Sequence, residues 1–305
     1  MIYVLGSLNL DYVARLSRIP KRGETVLAEA FDTFCGGKGA NQAAAVAKLG
    51  GKTAMVGCVG ADAAGRRLKE NLAAAGVDVA RVATNGADSG LAMIWVEGGD
   101  NRIAVAANAN SLIEKAEIDG ALAGAGAGDI LMAQLEIPPG IVLYALKAAK
   151  AKGMTTILNP APAIPDLTGE IFDYTDIITP NETETEILTG VNPVDTVHTA
   201  LAVKKLFALG IRQVVITLGK RGAACAEGHT ITEIDAIDVK VVDTTAAGDT
   251  FVGALATRIE AGFDLAAACR YANCAATITV QRRGAAVSIP TKEEVEEFIM
   301  KMNID

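Results

Sequence analysis

The stretch Asp243-Thr244-Thr245-Ala246-Ala247-Gly248-Asp249-Thr250-Phe251 joins small residues to two aspartates in a way that suits phosphate chemistry. It is expected to follow a β-like run at residues 239–242 and to open a helix, because Val252, Leu255 and Ile259 recur at helical spacing. Small residues in a first helical turn let the backbone N–H groups of Ala246, Ala247 and Gly248 point outward. With the helix dipole they form an anion site. Asp249 in that turn sets a carboxylate beside the anion, an unfavourable neighbour unless it takes the proton of a hydroxyl that attacks phosphorus. Aspartate is also a common helix cap, and these residues alone leave both readings open.

A near-copy, Gly126-Ala127-Gly128-Asp129, is followed by an apolar run at residues 130–135 that reads as a buried strand, so it is expected to be a loop. Gly36-Gly37-Lys38-Gly39-Ala40-Asn41-Gln42 runs into an Ala-rich helix that Gly50 and Gly51 stop. Its glycines allow a ligand close to the backbone, and Lys38 and Asn41 add donors. The G-x-x-x-x-G-K-[ST] spacing of a Walker A loop is absent. Asn9 and Asp11, at the end of a first strand expected over residues 1–8, lie on one side of an extended chain, where they suit two neighbouring sugar hydroxyls or a simple turn.

The elements that must position these residues alternate. Strands are expected at 53–59, 130–135, 155–158, 177–178 and 213–217, with helices at 62–75, 141–152, 194–209, 265–279 and 292–302. Alternating βα units imply a parallel sheet between helices, with ligands at the carboxyl ends of its strands. Asn9, Glu136, Asn159, Asn181, Gly219 and Asp249 all fall at such ends. Two segments break the pattern. Residues 12–34 and the pair 91–97 and 102–106 around Gly98-Gly99-Asp100-Asn101 read as hairpins. Together they could form a small sheet over the site, whose apolar face, Trp95 included, would need a partner; a lid that also dimerises is the expectation.

Composition excludes several classes. A net charge of −8 gives no basic face for nucleic acid. No apolar run reaches the ~18 residues of a membrane span, and the N-terminus lacks a basic leader, so a cytoplasmic protein is expected. Five cysteines without a C-x-x-C pair make disulfides and structural zinc unexpected, and Cys35 is expected as a small buried filler. Neither His198 nor His229 lies in a catalytic context.

Gly36 to Gln42, Asn159-Pro160-Ala161-Pro162, Pro180-Asn181-Glu182-Thr183-Glu184, Thr217-Leu218-Gly219 and the stretch from Asp243 to Phe251 resemble, in order and over essentially the whole chain, the ribokinase (PfkB-type) family of sugar kinases. The first and last of these motifs are specific, the others supporting. The resemblance implies an α/β fold, a ribokinase-like parallel-sheet αβα sandwich with a small β-sheet lid. It implies one kinase domain over residues 1–305 with lid strands inserted at about 11–34 and 89–107. The implied reaction is transfer of the ATP γ-phosphoryl group to the 5-hydroxyl of D-ribose.

Carried over by position, Asp249 is the base and the N–H groups of Ala246, Ala247 and Gly248 form the anion hole. Asn9, Asp11, Gly37, Lys38, Asn41 and Glu136 would bind the sugar. Asn181, Thr217, Gly219, Gly222, Gly248 and Asn273 would line the ATP site, with Glu184 placing Mg²⁺ indirectly. A K⁺ ion would be held by Asp243 and by groups at Thr245, Thr279, Arg282, Gly284 and Ser288. The segment Ala107-Asn108-Ala109-Asn110 departs from the family pattern where it helps close the sugar pocket. A homodimer through the lid is implied. The other readings are a kinase for deoxyribose, a fructose-type sugar or a nucleoside, and a non-catalytic sugar- or nucleotide-sensing protein on the same fold.

Overall fold

The computed structural model describes residues 1–305 except 99, 166, 168 and 305. The chain opens with β1 (Ile2–Leu5) and leaves the main layer for β2 (Asn9–Arg15) and β3 (Ala30–Gly36). It returns through α1 (Lys38–Lys48) to β4 (Thr53–Gly60), α2 (Ala63–Ala74) and β5 (Val82–Asn85). A second excursion forms β6 (Gly90–Glu97) and β7 (Asp100–Ala106). Then come α3 (Lys115–Leu122), β8 (Ile130–Ala133), α4 (Pro139–Ala151), β9 (Thr155–Leu158), α5 (Glu170–Asp173) and β10 (Ile177–Ile178). The last third holds α6 (Glu182–Thr189), α7 (Thr196–Ala208), β11 (Gln213–Thr217), β12 (Ala223–Glu227), β13 (Thr230–Ile234), α8 (Ala247–Glu260), α9 (Leu265–Thr279) and α10 (Lys292–Met302).

The large sheet has the order β13-β12-β11-β10-β9-β8-β1-β4-β5. It is parallel from β11 to β5, with Ile2 beside Thr53 on one flank and Ile130 on the other. The hairpin of β12 and β13 adds an antiparallel edge. Alternation along β1 divides the core: Ile2 and Val4 join the apolar layer under α1, α8 and α9, whereas Tyr3 and Leu5 join the layer under α4 and α7. Helices on both faces of a parallel sheet are what βα repeats must build to bury both sides.

The small sheet has the order β3-β2-β6-β7. Asp11, Val13, Ala92, Ile94 and Val96 face the main body. The other face leaves Tyr12, Phe31 and Met93 exposed at 37, 59 and 45%.

Four expectations change. The first strand ends at Leu5, because Gly6 and Ser7 turn the chain, and Asn9 begins the small sheet instead of ending a main strand. The second arm of the first hairpin begins only at Ala30. Residues 239–242 form no strand; Val241 and Val242 are 54 and 46% exposed, and no neighbouring strand pairs with them among the described residues. Cys35 is half-buried, not buried. In the second hairpin turn, Gly99 lies outside the described residues.

Candidate active site

Asp243 ties the turn before α8 together. Its Oδ1 accepts from the Thr245 N–H (2.9 Å) and hydroxyl (2.7 Å), and its Oδ2 from the Gly284 N–H (3.0 Å). Burial would raise its pKa. The Gly284 N–H, the two Thr245 donors and the charge of Arg283 outweigh that and hold the carboxyl below its usual value. The Val242 and Asp243 N–H groups donate to the Val280 carbonyl at the end of α9. A long-range anchor thus replaces the strand expected there.

Ala246 caps α8 in the left-handed region at φ 61°, which aims the next amides outward. The expected three donors are not equivalent. The Ala247 N–H is turned onto the Thr244 carbonyl at 3.2 Å, whereas those of Ala246, Gly248 and Asp249 meet no protein acceptor among the described residues.

The turn from β3 into α1 is packed tightly enough to require its glycines. A methyl on Gly36 would collide with Asp11 Oδ2, and Gly37 has φ 92° with its Cα facing the Asn9 N–H. Gly39 presses on the backbone of Gly6 at the end of β1. Close approach of α1 to α8, where Gly253 faces Ala45, carries Asn41 and Gln42 to Asp249. Asn41 Nδ2 donates to Asp249 Oδ2 at 2.9 Å, and Gln42 Nε2 to Asp249 Oδ1 at 3.1 Å.

Asp249 lines a cavity of about 900 Å³. Asn9 and Asp11 of β2, Gly37 before α1, Lys38 and Asn41 of α1, and Glu136 after β8 line it, and the small sheet covers it. Burial works against the Lys38 ammonium, but the carboxylates of Asp249, Glu136 and Glu184 prevail and lift its pKa above the usual value. Asp11 is pushed up to about 7 by burial first, then by Glu136 and Asp249. Asn41 Oδ1 is buried with no protein partner.

Two further side chains set this wall, Asn110 from the segment that the resemblance put at the sugar pocket and Ser7, which sequence reading missed. The Ser7 hydroxyl donates to Glu136, and Asn110 donates to Asn9 Oδ1 (2.8 Å) while its own Oδ1 takes the Leu8 N–H (2.9 Å). Asn110 had only its unusual segment as a signal. Ser7 had none beyond a polar residue before an apolar one.

The residues expected at the nucleotide site meet at the same strand-end edge but outside this cavity. Asn181 caps α6, exchanging bonds with Glu184 at 2.8 Å each way, and bridges to Thr217. Gly219 packs beside Glu182. Leu218 N–H donates to the Gly222 carbonyl at 2.8 Å, and Asn273 Nδ2 to the Asp235 carbonyl at 3.0 Å. Burial raises the pKa of Glu184 despite the Asn181 N–H and Lys38. Near Asp243, the Thr279 hydroxyl bonds Thr250 and Ala275, the Ser288 hydroxyl bonds the Ala285 carbonyl, and the Arg282 guanidinium is engaged by Glu294. The near-copy at Gly126 to Asp129 is a turn in which Asp129 holds the chain's amino group at 2.8 Å.

Comparison with known proteins gives a consistent picture. The model of the pfkB family carbohydrate kinases matches residues 1–292. A ribokinase of Bacillus subtilis is 42% identical over 300 residues, covering 98% of this chain and 99% of the relative. A deoxyribokinase of Salmonella typhi is 35% identical over 301 residues, covering 98% of each. The structure of Arabidopsis thaliana ribokinase complexed with ribose and ATP superposes with a TM-score of 0.89 at 35% identity, over 98% of both chains.

Proposed function

The chain belongs to the pfkB family of carbohydrate kinases, and from that premise we propose that it transfers the γ-phosphoryl group of ATP to the 5-hydroxyl of D-ribose, giving ribose 5-phosphate. Asp249 carries this reading. Its carboxylate opens a helix, is gripped on both oxygens by amides, and faces a cavity walled by Asn9, Asp11, Lys38 and Glu136. A sugar hydroxyl set there would donate to Asp249, which takes the proton as the oxygen attacks phosphorus. Open N–H groups at the start of α8 then stabilise the charge that develops on the phosphoryl oxygens.

Two cations fit the residues present. Mg²⁺ supplies neutralisation of phosphate charge, and Glu184, a single buried carboxylate beside Asn181, suits an ion that keeps most of its own water. For K⁺, the Asp243 carboxylate, held ionised by N–H donors from Thr245 and Gly284, would supply the charge, and oxygens at Thr245, Thr279, Arg282, Gly284 and Ser288 would complete the set. Asn181, Thr217, Gly219, Gly222 and Asn273 form the nucleotide side. We read residues 1–305 as one kinase domain whose small sheet is a lid, and the exposed Tyr12, Phe31 and Met93 support a homodimer through it. Light scattering that gives a monomer at micromolar concentration would sink the dimer. No described helix is long and apolar enough to cross a membrane, in keeping with work in the cytoplasm.

The deoxyribokinase relative favours a second acceptor, deoxyribose. ADP release with MgATP and K⁺ across ribose, deoxyribose, fructose and nucleosides separates the readings. A strong ribose preference supports the first, a deoxyribose preference the second, and no turnover of any acceptor counts against both.

A further inference from the structure

Behind Asp249 lies a row of buried amides that the phosphoryl-transfer reading does not use. Gln42 and Gln134 are fully buried, and Asn159 and Asp249 are each 8% exposed. Gln42 Nε2 donates to two oxygens at once, Asp249 Oδ1 and Asn159 Oδ1, each at 3.1 Å. Gln42 Oε1 accepts from Gln134 Nε2 at 2.6 Å. Gln134 follows β8 directly and lies against the bare Cα of Gly6, where any side chain at position 6 would displace it.

The direction of this row is fixed by its far end. Asn159 Nδ2 donates to the Thr179 carbonyl at 2.7 Å, and a backbone carbonyl can only accept. Asn159 must therefore turn its oxygen to Gln42, Gln42 must answer with its NH₂, and the Gln42 oxygen is left for Gln134. Asp249 then receives an N–H from Gln42 in the one orientation that the main chain permits. Asn41 alone would fix one carboxylate oxygen and leave rotation about the Cβ–Cγ bond free. A donor on each oxygen fixes the carboxylate plane.

We infer that Gln42, oriented by the Thr179 carbonyl through Asn159 and by Gln134, is a positioning residue that sets the plane and aim of the Asp249 carboxylate for proton abstraction. This rests on Asp249 being the base. Gln42 does not line the cavity, so it acts through Asp249 and not on the sugar. Preorganisation of this kind changes turnover more than ground-state binding.

Three variants test it, with KM and kcat measured separately beside Asp249→Asn. Gln42→Met keeps the volume and removes the donors; kcat should fall by about tenfold or more, the order expected when a catalytic group loses its aim, with both KM values within about threefold. Gln42→Glu places a second carboxyl against Asp249, and two carboxyls at that distance share a proton, so the acid limb of kcat against pH should move upward. Gln134→Met touches neither Asp249 nor Asn159 and keeps the test open if Gln42→Met does not fold; it should lower kcat without raising KM. Parental kcat in folded Gln42→Met or Gln134→Met, or a Gln42→Glu profile that drops evenly at all pH values, would overturn the inference. Near-normal kcat in Asp249→Asn would instead remove the base reading on which it stands.

Discussion

Asn41 donates from Nδ2 to Asp249 Oδ2 at 2.9 Å, joining positions 208 residues apart in sequence, while its own Oδ1 stays buried without a protein partner. Its nitrogen holds the proposed base, and its oxygen is sealed from solvent without a protein partner. Removing charge and basicity from that pair is the most direct probe of the reaction. Asp249→Asn keeps size and shape and should cut turnover by ~10²–10⁴-fold, the usual worth of a general base, with ATP affinity little changed. Turnover kept near the parental rate would take Asp249 out of the role.

Asp11 gives a pH dependence with a definite sign. Its pKa of about 7 against a usual 3.8 comes from burial, then Glu136 and Asp249. On the proposed reading a sugar hydroxyl would donate to the carboxylate, so kcat/KM for the sugar, which reports the free enzyme, should fall as pH drops through about 7. Asp11→Asn should erase that limb. The same shift affects stability. Because the folded chain binds this proton more tightly than the unfolded one, the group's stabilising effect is complete below pH 3.8 and is lost as pH rises to about 7. Asp11→Asn should then raise Tm relative to the parent more at pH 8 than at pH 5, and equal changes at the two pH values would refute the shift.

Much of the main layer was legible because βα alternation is written in the apolar spacing of the chain. The strands at Thr155–Leu158, Ile177–Ile178 and Gln213–Thr217 and the helices Leu265–Thr279 and Lys292–Met302 form where that spacing puts them. The misreadings share a cause. Valines at 239, 241 and 242 look like a strand, but a strand exists only where a neighbour offers a ladder, and here the chain is pinned to Val280 instead. The β12–β13 hairpin escaped notice because Ala223-Ala224-Cys225-Ala226 lacks the branched side chains that mark strands. In the site, charged residues and glycines stood out at the strand ends. Gln134 did not, since one amide closing an apolar run has meaning only when Gln42 is packed against it.

Gly36 tests whether the turn into α1 serves the pocket or only the chain. A methyl there would strike Asp11 Oδ2, the free end of a side chain that can rotate away. The fold should survive and Asp11 should move. Gly36→Ala is therefore expected to raise KM for the sugar by roughly 10–100-fold, the cost of about 1 Å of misplacement, with Tm and KM for ATP near parental values. Loss of folding, or an unchanged sugar KM, would show that Asp11 is not set by this contact.

Asp243 links two segments that are far apart in sequence, the turn at Thr245 and the loop at Gly284, through hydrogen bonds to both carboxylate oxygens. Its depressed pKa means that it stays ionised at working pH values, and an ionised carboxylate favours a cation nearby. If K⁺ occupies this place, it sits beside the anion-binding turn and fixes where Ala246 and Gly248 point. Replacing K⁺ by tetramethylammonium at constant ionic strength should then lower kcat, because that ion is too large and cannot be coordinated by oxygens. Asp243→Ala should be slow in either salt and should have lost the difference between them. A parental enzyme equally active in both salts would discard the cation site and leave Asp243 as a purely structural tie between turn and loop.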